Sequence, residues 1–260
     1  MTDDDEAFYL PIGVGLFRAT KHTAGPWSAE SQHLGPPSAL LVRALEGLDP
    51  GFDGTIARIT IEILGPVGLG DLEVSAEVVR PGRSVELLGA QLSAAGRPLA
   101  LARAWRIARS DTSAVAIGEA PPLAALGSSE QIPFLSTWEG YGSSMEWRTL
   151  SGDFGRPGPA SLWVRQRVPL VAGEEPSPLQ RLMAVADSGN GASGWLDFNE
   201  WYFINTELTV HVHREPVGEW IGLDAATVIG PHGVGTADSV LHDRDGQVGR
   251  GAQALLVRPR

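Results

Sequence analysis

The chain has 260 residues, a formal net charge of −11 and no cysteine. So acidic a balance excludes broad nucleic-acid binding, which needs clustered Lys and Arg to replace the counterions on phosphates. The lack of cysteine removes disulfides, thiolate metal sites and a Cys nucleophile, and suits a reducing compartment.

The opening Met1-Thr2-Asp3-Asp4-Asp5-Glu6 is acidic, opposite in sign to the start of a secretory signal, and no apolar core of such a signal follows. No run approaches the roughly 18 uninterrupted apolar residues of a membrane-spanning helix. The expectation is a cytoplasmic protein.

Residues 8–19 read as a strand, ahead of a turn at Thr23-Ala24-Gly25-Pro26. A helix is predicted from Gly35. Pro36 and Pro37 cost little at a helix start, where amides lack intrahelical partners, and Leu40, Leu41, Ala44, Leu45 and Leu48 follow at helical spacing. Strands are predicted at 56–64, 71–80, 85–94 and 99–108, separated by Pro and Gly turns. Residues 111–142 are small and Pro-rich and read as a linker, with Phe134 and Trp138 as packing points.

The plan then repeats. Strands are predicted at 145–150 and 161–168, and a helix begins with Ser177 as N-cap, Pro178 in the first turn and Gln180 closing a capping box. Leu179, Leu182, Met183, Val185 and Ala186 form its apolar stripe, and it runs to Asp187, where Gly189-Asn190-Gly191 signals a stop. Strands follow at 200–214, 219–229, 235–242 and 248–258.

Laid over each other 150 positions apart, residues 59–107 and 209–257 agree at nine places, among them Pro66/Pro216, Gly68/Gly218, Pro81/Pro231 and Gly96/Gly246. Shared Pro and Gly mark where the backbone bends. The chain therefore reads as an α+β protein of two related domains, 1–110 and 143–260, joined by the linker 111–142. A site built from both copies could sit at their pseudo-two-fold interface.

No Gly-x-Ser-x-Gly elbow, Walker loop, dinucleotide fingerprint or His-Glu-x-x-His is present, so no motif points to a cofactor or metal. His211 and His213 share a strand face, but no carboxylate follows at ligand spacing, and they read as structural or surface residues. Asp187 stands beside an apolar stripe. A carboxylate there must be paired, hydrogen-bonded or catalytic, and a local role in the turn at 188–191 competes.

Several short motifs occur in order. They are Gln32-His33-Leu34-Gly35-Pro36-Pro37-Ser38-Ala39-Leu40-Leu41, Val79-Arg80-Pro81-Gly82-Arg83-Ser84, Ala186-Asp187, Phe203-Ile204-Asn205-Thr206-Glu207-Leu208-Thr209, His213-Arg214-Glu215-Pro216, and Gly246-Gln247-Val248 ahead of Gln253. Together they resemble the double hot-dog acyl-CoA thioesterases, the type II acyl-CoA thioesterase family. The resemblance implies a tandem hot-dog fold, each half an antiparallel sheet wrapped around a long central helix. It also implies hydrolysis of an acyl-CoA to the carboxylic acid and free coenzyme A, in fatty acid metabolism, by a homodimer or higher homo-oligomer.

In that family an Asp on the second helix, a Thr on the next strand and a Gln on the last strand hold the attacking water. These positions fall on Asp187, Asn205 and Gln253, so Asn205 departs from the family's Thr. The neighbouring Thr206 would face the other side of the strand. At the 150-residue offset Pro37, Thr55 and Arg103 stand opposite, which implies one site per chain.

The backbone amides near Gly35, beside His33, are the expected oxyanion donors. Arg83, Arg214 and Arg43 are the candidates for the coenzyme A phosphates; the eight tryptophans read first as core and linker packing, with Trp147 and Trp195 as the alternatives for lining an acyl pocket. Two rivals remain. An enoyl-CoA hydratase or dehydratase would want a His close after Asp187, where the next is His211. A non-catalytic acyl-CoA-binding protein would explain Asn205 as a decayed site.

Overall fold

The computed structural model describes residues 6–260, so the acidic opening at 1–5 lies outside it. A hairpin of β1 (Tyr9–Gly13) and β2 (Leu16–Ala19) stands where one strand was expected. Gly15, at φ +69°, supplies the left-handed turn residue between them. There follow α1 (Gly35–Glu46), β3 (Gly54–Ile63), β4 (Asp71–Arg80), β5 (Val85–Ala94) and β6 (Arg97–Ala108). The segment read as a linker carries β7 (Glu130–Gln131), α2 (Pro133–Ser136) and α3 (Tyr141–Ser144). The second half contains β8 (Met145–Asp153), β9 (Arg156–Gln166), α4 (Pro178–Ala186), α5 (Gly189–Ala192), β10 (Trp201–Asn205), β11 (Glu207–Val212), β12 (Trp220–Ile229), β13 (Val234–Asp243) and β14 (Gly246–Pro259).

The strands form one antiparallel sheet in the order β1-β2-β4-β5-β6-β3-β11-β14-β13-β12-β9-β8-β7, with β10 also paired to β14. Each half contributes the same sequence of neighbours, running outward from the β3–β11 pair. In that central pair Ile59 lies opposite Val210 and Thr60 opposite Thr209. Thr209 and Val210 are the counterparts of Ile59 and Thr60 in the sequence repeat. The pairing is thus symmetric with respect to the sequence repeat at this point of the sheet.

α1 packs on β4 and β5, and α4 on β9, β12 and β13. The two helices lie antiparallel against each other. Gly35 abuts Ala184, and a Cβ on Gly35 would overlap the Ala184 carbonyl oxygen. At the opposite junction Glu46 accepts from Ser177 Oγ at 2.8 Å and from Gln180 Nε2 at 2.6 Å. Gln180 thus turns toward α1 instead of closing a capping box, although Ser177 Oγ does accept the Gln180 amide at 3.1 Å. Leu40, Leu41 and Leu45 of α1 and Leu182 and Met183 of α4 are fully buried against Ile59, Ile61 and Leu223. Each such side chain contributes about 1.5–3 kcal/mol.

Four local features differ from the sequence reading. α1 has 12 residues but α4 only nine, so the helices do not keep the 150-residue offset of the strands. Asp187 caps the end of α4 where Gly47 caps α1, which makes Gly47 rather than Pro37 its counterpart. The segment after Asp187 winds into α5 instead of turning directly into a strand. The strand expected over 200–214 breaks at Thr206, whose carbonyl accepts from Ile63 N–H and whose amide donates to Ala254.

Candidate active site

The start of α1 and the end of α4 meet at Asp187. Pro36 and Pro37 carry no N–H, so Leu34 and Gly35 supply the amides free to donate at this helix start. The Leu34 amide bonds the Asp187 carboxyl group. The Gly35 amide donates to His33 Nδ1 at 3.0 Å. That bond makes Nδ1 an acceptor and leaves the imidazole proton on Nε2. The Gly35 amide expected to serve an oxyanion is therefore engaged by His33, and Gly35 is not on the cavity wall.

Asp187 Oδ1 accepts from Asn205 Nδ2 at 2.8 Å and from Gln253 Nε2 at 3.2 Å. Gln253 Nε2 also reaches the Asp187 carbonyl at 3.1 Å, while its Oε1 accepts the Asn190 amide at 3.1 Å. The other carboxyl oxygen, Oδ2, lies 3.3 Å from His33 Nδ1. The three residues separated along the sequence are thus brought together. Asn205, not Thr206, makes the contact: Asn205 is buried, while Thr206, also on the cavity wall, is exposed and donates its hydroxyl to Ala254 O at 3.3 Å.

A cavity of about 430 Å³ opens over this cluster. Its walls are mainly apolar and include Trp27, Leu135, Trp138, Trp147 and Phe198, and His33, Asp187, Asn190 and Asn205 are among its polar groups. Trp147 lines it as expected. Trp195 does not; it is half-exposed and donates to Thr227 O at 2.8 Å. Gln253 is buried behind Asp187 rather than on the wall.

Burial pushes the Asp187 carboxyl up to about 7, against the opposing effect of its bonds from Asn205, Leu34 and Gln253. Burial pulls His33 down to about 3, so it is neutral at physiological pH. A carboxyl group titrating near neutrality in an apolar cavity is suited to proton transfer.

The arginines proposed from sequence lie elsewhere. Arg83 sits in the β4–β5 turn, at the opposite end of the strands from Ile63 and Leu64 on the cavity wall. Arg214 follows β11 at that same far end and is tied to Asp243 by bonds of 2.5 and 2.7 Å. Arg43 is paired with Glu174 at 2.6 Å. His211 and His213 are both exposed, and His213 Nε2 lies 3.4 Å from Glu119.

Two family models match the chain: the acyl-CoA thioesterase N-terminal domain over residues 23–107 and the acyl-CoA thioesterase C-terminal domain over residues 117–257. The chain belongs to the acyl-CoA thioesterase family. It is a thioester hydrolase by that membership. Among solved structures it is similar to a provisionally assigned thioesterase II from Thermobifida fusca YX, with 16% identity over 99% of this chain and 98% of the other and a TM-score of 0.78. A protein of unknown function with a hot-dog fold from Alicyclobacillus acidocaldarius matches with 14% identity, the same coverage and a TM-score of 0.77. An acyl-CoA thioesterase II from Mycobacterium marinum matches with 14% identity over 98% of this chain and 96% of the other, at a TM-score of 0.66. At these identities the likeness establishes the hot-dog fold. No curated protein sequence matches significantly.

Among the residues around this cavity that sequence reasoning missed is Tyr141. Its ring stacks on His33 at 3.8 Å and 7°. Its hydroxyl donates to Ala184 O at 2.7 Å and lies 3.0 Å from Ser188 Oγ. Tyr141 thereby clamps the imidazole against the end of α4. The available signal was an aromatic placed directly after Gly140, whose φ of +102° marks a constrained turn. The histidine that the hydratase reading lacked is also present in space, since His33 of the first half stands where none follows Asp187 in sequence.

Proposed function

We propose that this enzyme hydrolyses acyl-CoA by water attack directed by Asp187. The observation that carries this reading is the buried carboxyl group on the wall of an apolar cavity, bonded by Asn205 and Gln253 and shifted to about 7. The acyl chain lies along the apolar walls with its thioester carbonyl over Asp187. The Asp187 carboxylate accepts a proton from water as the oxygen attacks the carbonyl carbon. Asn205 Nδ2 holds Asp187, leaving Asn205 Oδ1, which has no partner among the described residues, to accept the second water proton. The asparagine thus fulfils the part of the family's threonine.

Gln253 is a positioning residue, since its amide is bound to Asp187 and Asn190. His33 is neutral with its proton on Nε2, and the structure gives Nε2 no partner among the described residues. That N–H donates to the developing oxyanion, the place where a fixed donor is most effective. Collapse of the tetrahedral intermediate expels the coenzyme A thiolate, which takes up the proton that Asp187 accepted from water, and the acid leaves. The fold supports a tandem hot-dog enzyme, with 1–110 and 143–260 as its two units joined by 111–142, and with this site at the end of α4.

The test is free-thiol release from acyl-CoA esters of increasing chain length, by wild type and by Asp187→Asn. The chain contains no cysteine and gives no background with a thiol reagent. Release by wild type and a drop on the order of 100-fold or more in the variant is expected. Near-normal turnover in the variant would exclude Asp187 as the base.

A further inference from the structure

Coenzyme A is polyanionic, yet the cavity wall carries no Arg or Lys, and Arg83, Arg214 and Arg43 lie away from it. A second arginine cluster lies beside the cavity. We propose that Arg258 and Arg260, seated on the rings of Tyr202 and Trp27, bind the phosphates of the coenzyme A nucleotide. This rests on the acyl-CoA reading above and assigns the part of the substrate that reading leaves unplaced.

Four observations converge on these residues. The Arg258 guanidinium lies 5.4 Å from the Tyr202 ring centroid, and that of Arg260 lies 4.6 Å from Tyr202 and 5.8 Å from Trp27. Stacking of this kind orients a guanidinium while leaving its N–H edge open. Trp27 is part of the cavity wall and packs at 4.6 Å on Phe198, another wall residue, so the cluster is continuous with the cavity.

Both arginines are exposed, and among the described residues neither has a carboxylate within ion-pair distance. Arg18, Arg43, Arg106, Arg165 and Arg214 each meet one. On a chain of net charge −11, two adjacent cations without an ion-pair partner among the described residues form a local attraction for phosphate.

The spacing fits the substrate. Arg258 pairs across the sheet with Tyr202, and Asn205 stands at the other end of the same strand, opposite Leu255. Three residues of extended chain span about 10 Å. The pantetheine arm between thioester and diphosphate has the backbone length of about four extended residues, roughly 14 Å. Tyr202 and Asn205 are an odd number of residues apart and leave opposite faces of the strand, so a thioester over Asp187 and Asn205 lets the diphosphate reach the arginines by way of Trp27, which lines the cavity and lies 6.0 Å from the Tyr202 ring. The charged nucleotide, costly to desolvate, stays at the surface while the acyl chain enters the cavity.

The experiment compares wild type with Arg258→Gln/Arg260→Gln, both changes being on exposed positions. Coenzyme A and pantetheine are titrated calorimetrically into each protein. In parallel, turnover is measured on an acyl-CoA and on the matching acyl-N-acetylcysteamine thioester, which lacks the nucleotide. The expected result is a loss on the order of 10-fold in coenzyme A affinity and a similar rise in KM for acyl-CoA. Pantetheine binding and acyl-N-acetylcysteamine turnover should not change. Unaltered coenzyme A affinity in the variant, an equal loss on both ligands, or no binding of coenzyme A by wild type would each overturn the assignment. Failure of wild type to cleave either thioester would instead count against the proposed hydrolysis, and the calorimetric comparison would still decide the phosphate site.

Discussion

His33 Nδ1 and Asp187 Oδ2 face each other at 3.3 Å across the boundary between the two halves, and burial has reversed which of them keeps a proton. In an unfolded chain the histidine holds its proton up to 6.5 and the aspartate gives its own up near 3.8. In the folded protein the order is inverted, with His33 at about 3 and Asp187 at about 7. Between pH 4 and 6.5 both states therefore hold one proton on this pair, on His33 when unfolded and on Asp187 when folded. Equal proton counts mean that the pair adds no pH slope to stability across that window.

Replacing His33 removes that cancellation. In His33→Gln the Asp187 group acts alone. Its folded value is raised, so its contribution is fully present below pH 4 and is lost as pH rises toward 7. Relative to wild type, the variant should lose about 1.4 kcal/mol of stability per pH unit between pH 4.5 and 6.5. Urea unfolding of both proteins at these two pH values measures it. Parallel pH slopes would show that the proton does not reside on Asp187.

Asp187→Asn should separate activity from stability. Asparagine can accept from Asn205 and Gln253 through its oxygen, keeping the bonds that Asp187 Oδ1 receives. It cannot accept a proton from water. Above pH 7 wild type must bury a charged carboxylate here and the variant does not. The variant should therefore melt higher than wild type at pH 8, by a margin on the order of a few kcal/mol, while losing turnover. A lower melting temperature at pH 8 would mean that the carboxylate is stabilised by its donors more than burial penalises it.

Wild-type turnover should rise with pH through a midpoint near 7 as Asp187 ionises. Asn205 and Gln253 both favour the carboxylate, so removing either donor moves this limb to higher pH. The two should differ at the plateau. Gln253→Met, which removes a positioning group, should recover much of its rate at pH 9. Asn205→Ala, which also removes the proposed acceptor for the water, should stay about 10-fold or more below wild type at every pH. Identical plateaus would place Asn205 behind the site with Gln253.

The strands were legible because their signals are local. β4 and β5 run over the residues predicted for them, bounded by Pro and Gly turns. Asp187, Asn205 and Gln253 could be picked out one at a time, because a polar residue in an apolar run is visible in sequence. What could not be seen depended on distant partners. Gln180 looks like half of a capping box, yet its side chain donates to Glu46, 134 positions away. Tyr141 falls in a segment that composition marks as a linker, and only the fold reveals it stacked on His33. Arg83 looked like a ligand residue by motif alone, while Arg258 and Arg260 carry no motif and become candidates only through the rings beneath them.

Two glycines at opposite ends of α1 should respond in opposite ways. Gly35 has no room for a side chain, because a Cβ would overlap the Ala184 carbonyl. Gly35→Ala must push α1 and α4 apart at the point where Leu34 and His33 meet Asp187. A loss of about 1–3 kcal/mol is expected from overpacking, together with a fall in turnover as the Leu34 bond to Asp187 lengthens. Gly47 caps α1 where Asp187 caps α4, with a helical φ of −71° and a Cβ position 3.5 Å from the nearest carbonyl oxygens, those of Ala44 and Arg43. Alanine fits there without strain, so Gly47→Ala should stabilise the protein by about 0.4–1 kcal/mol through the unfolded chain, at unchanged turnover. Chemical denaturation and thiol release on the two variants check both. Equal tolerance at Gly35 and Gly47 would mean that the close helix contact is not what holds Asp187 in place.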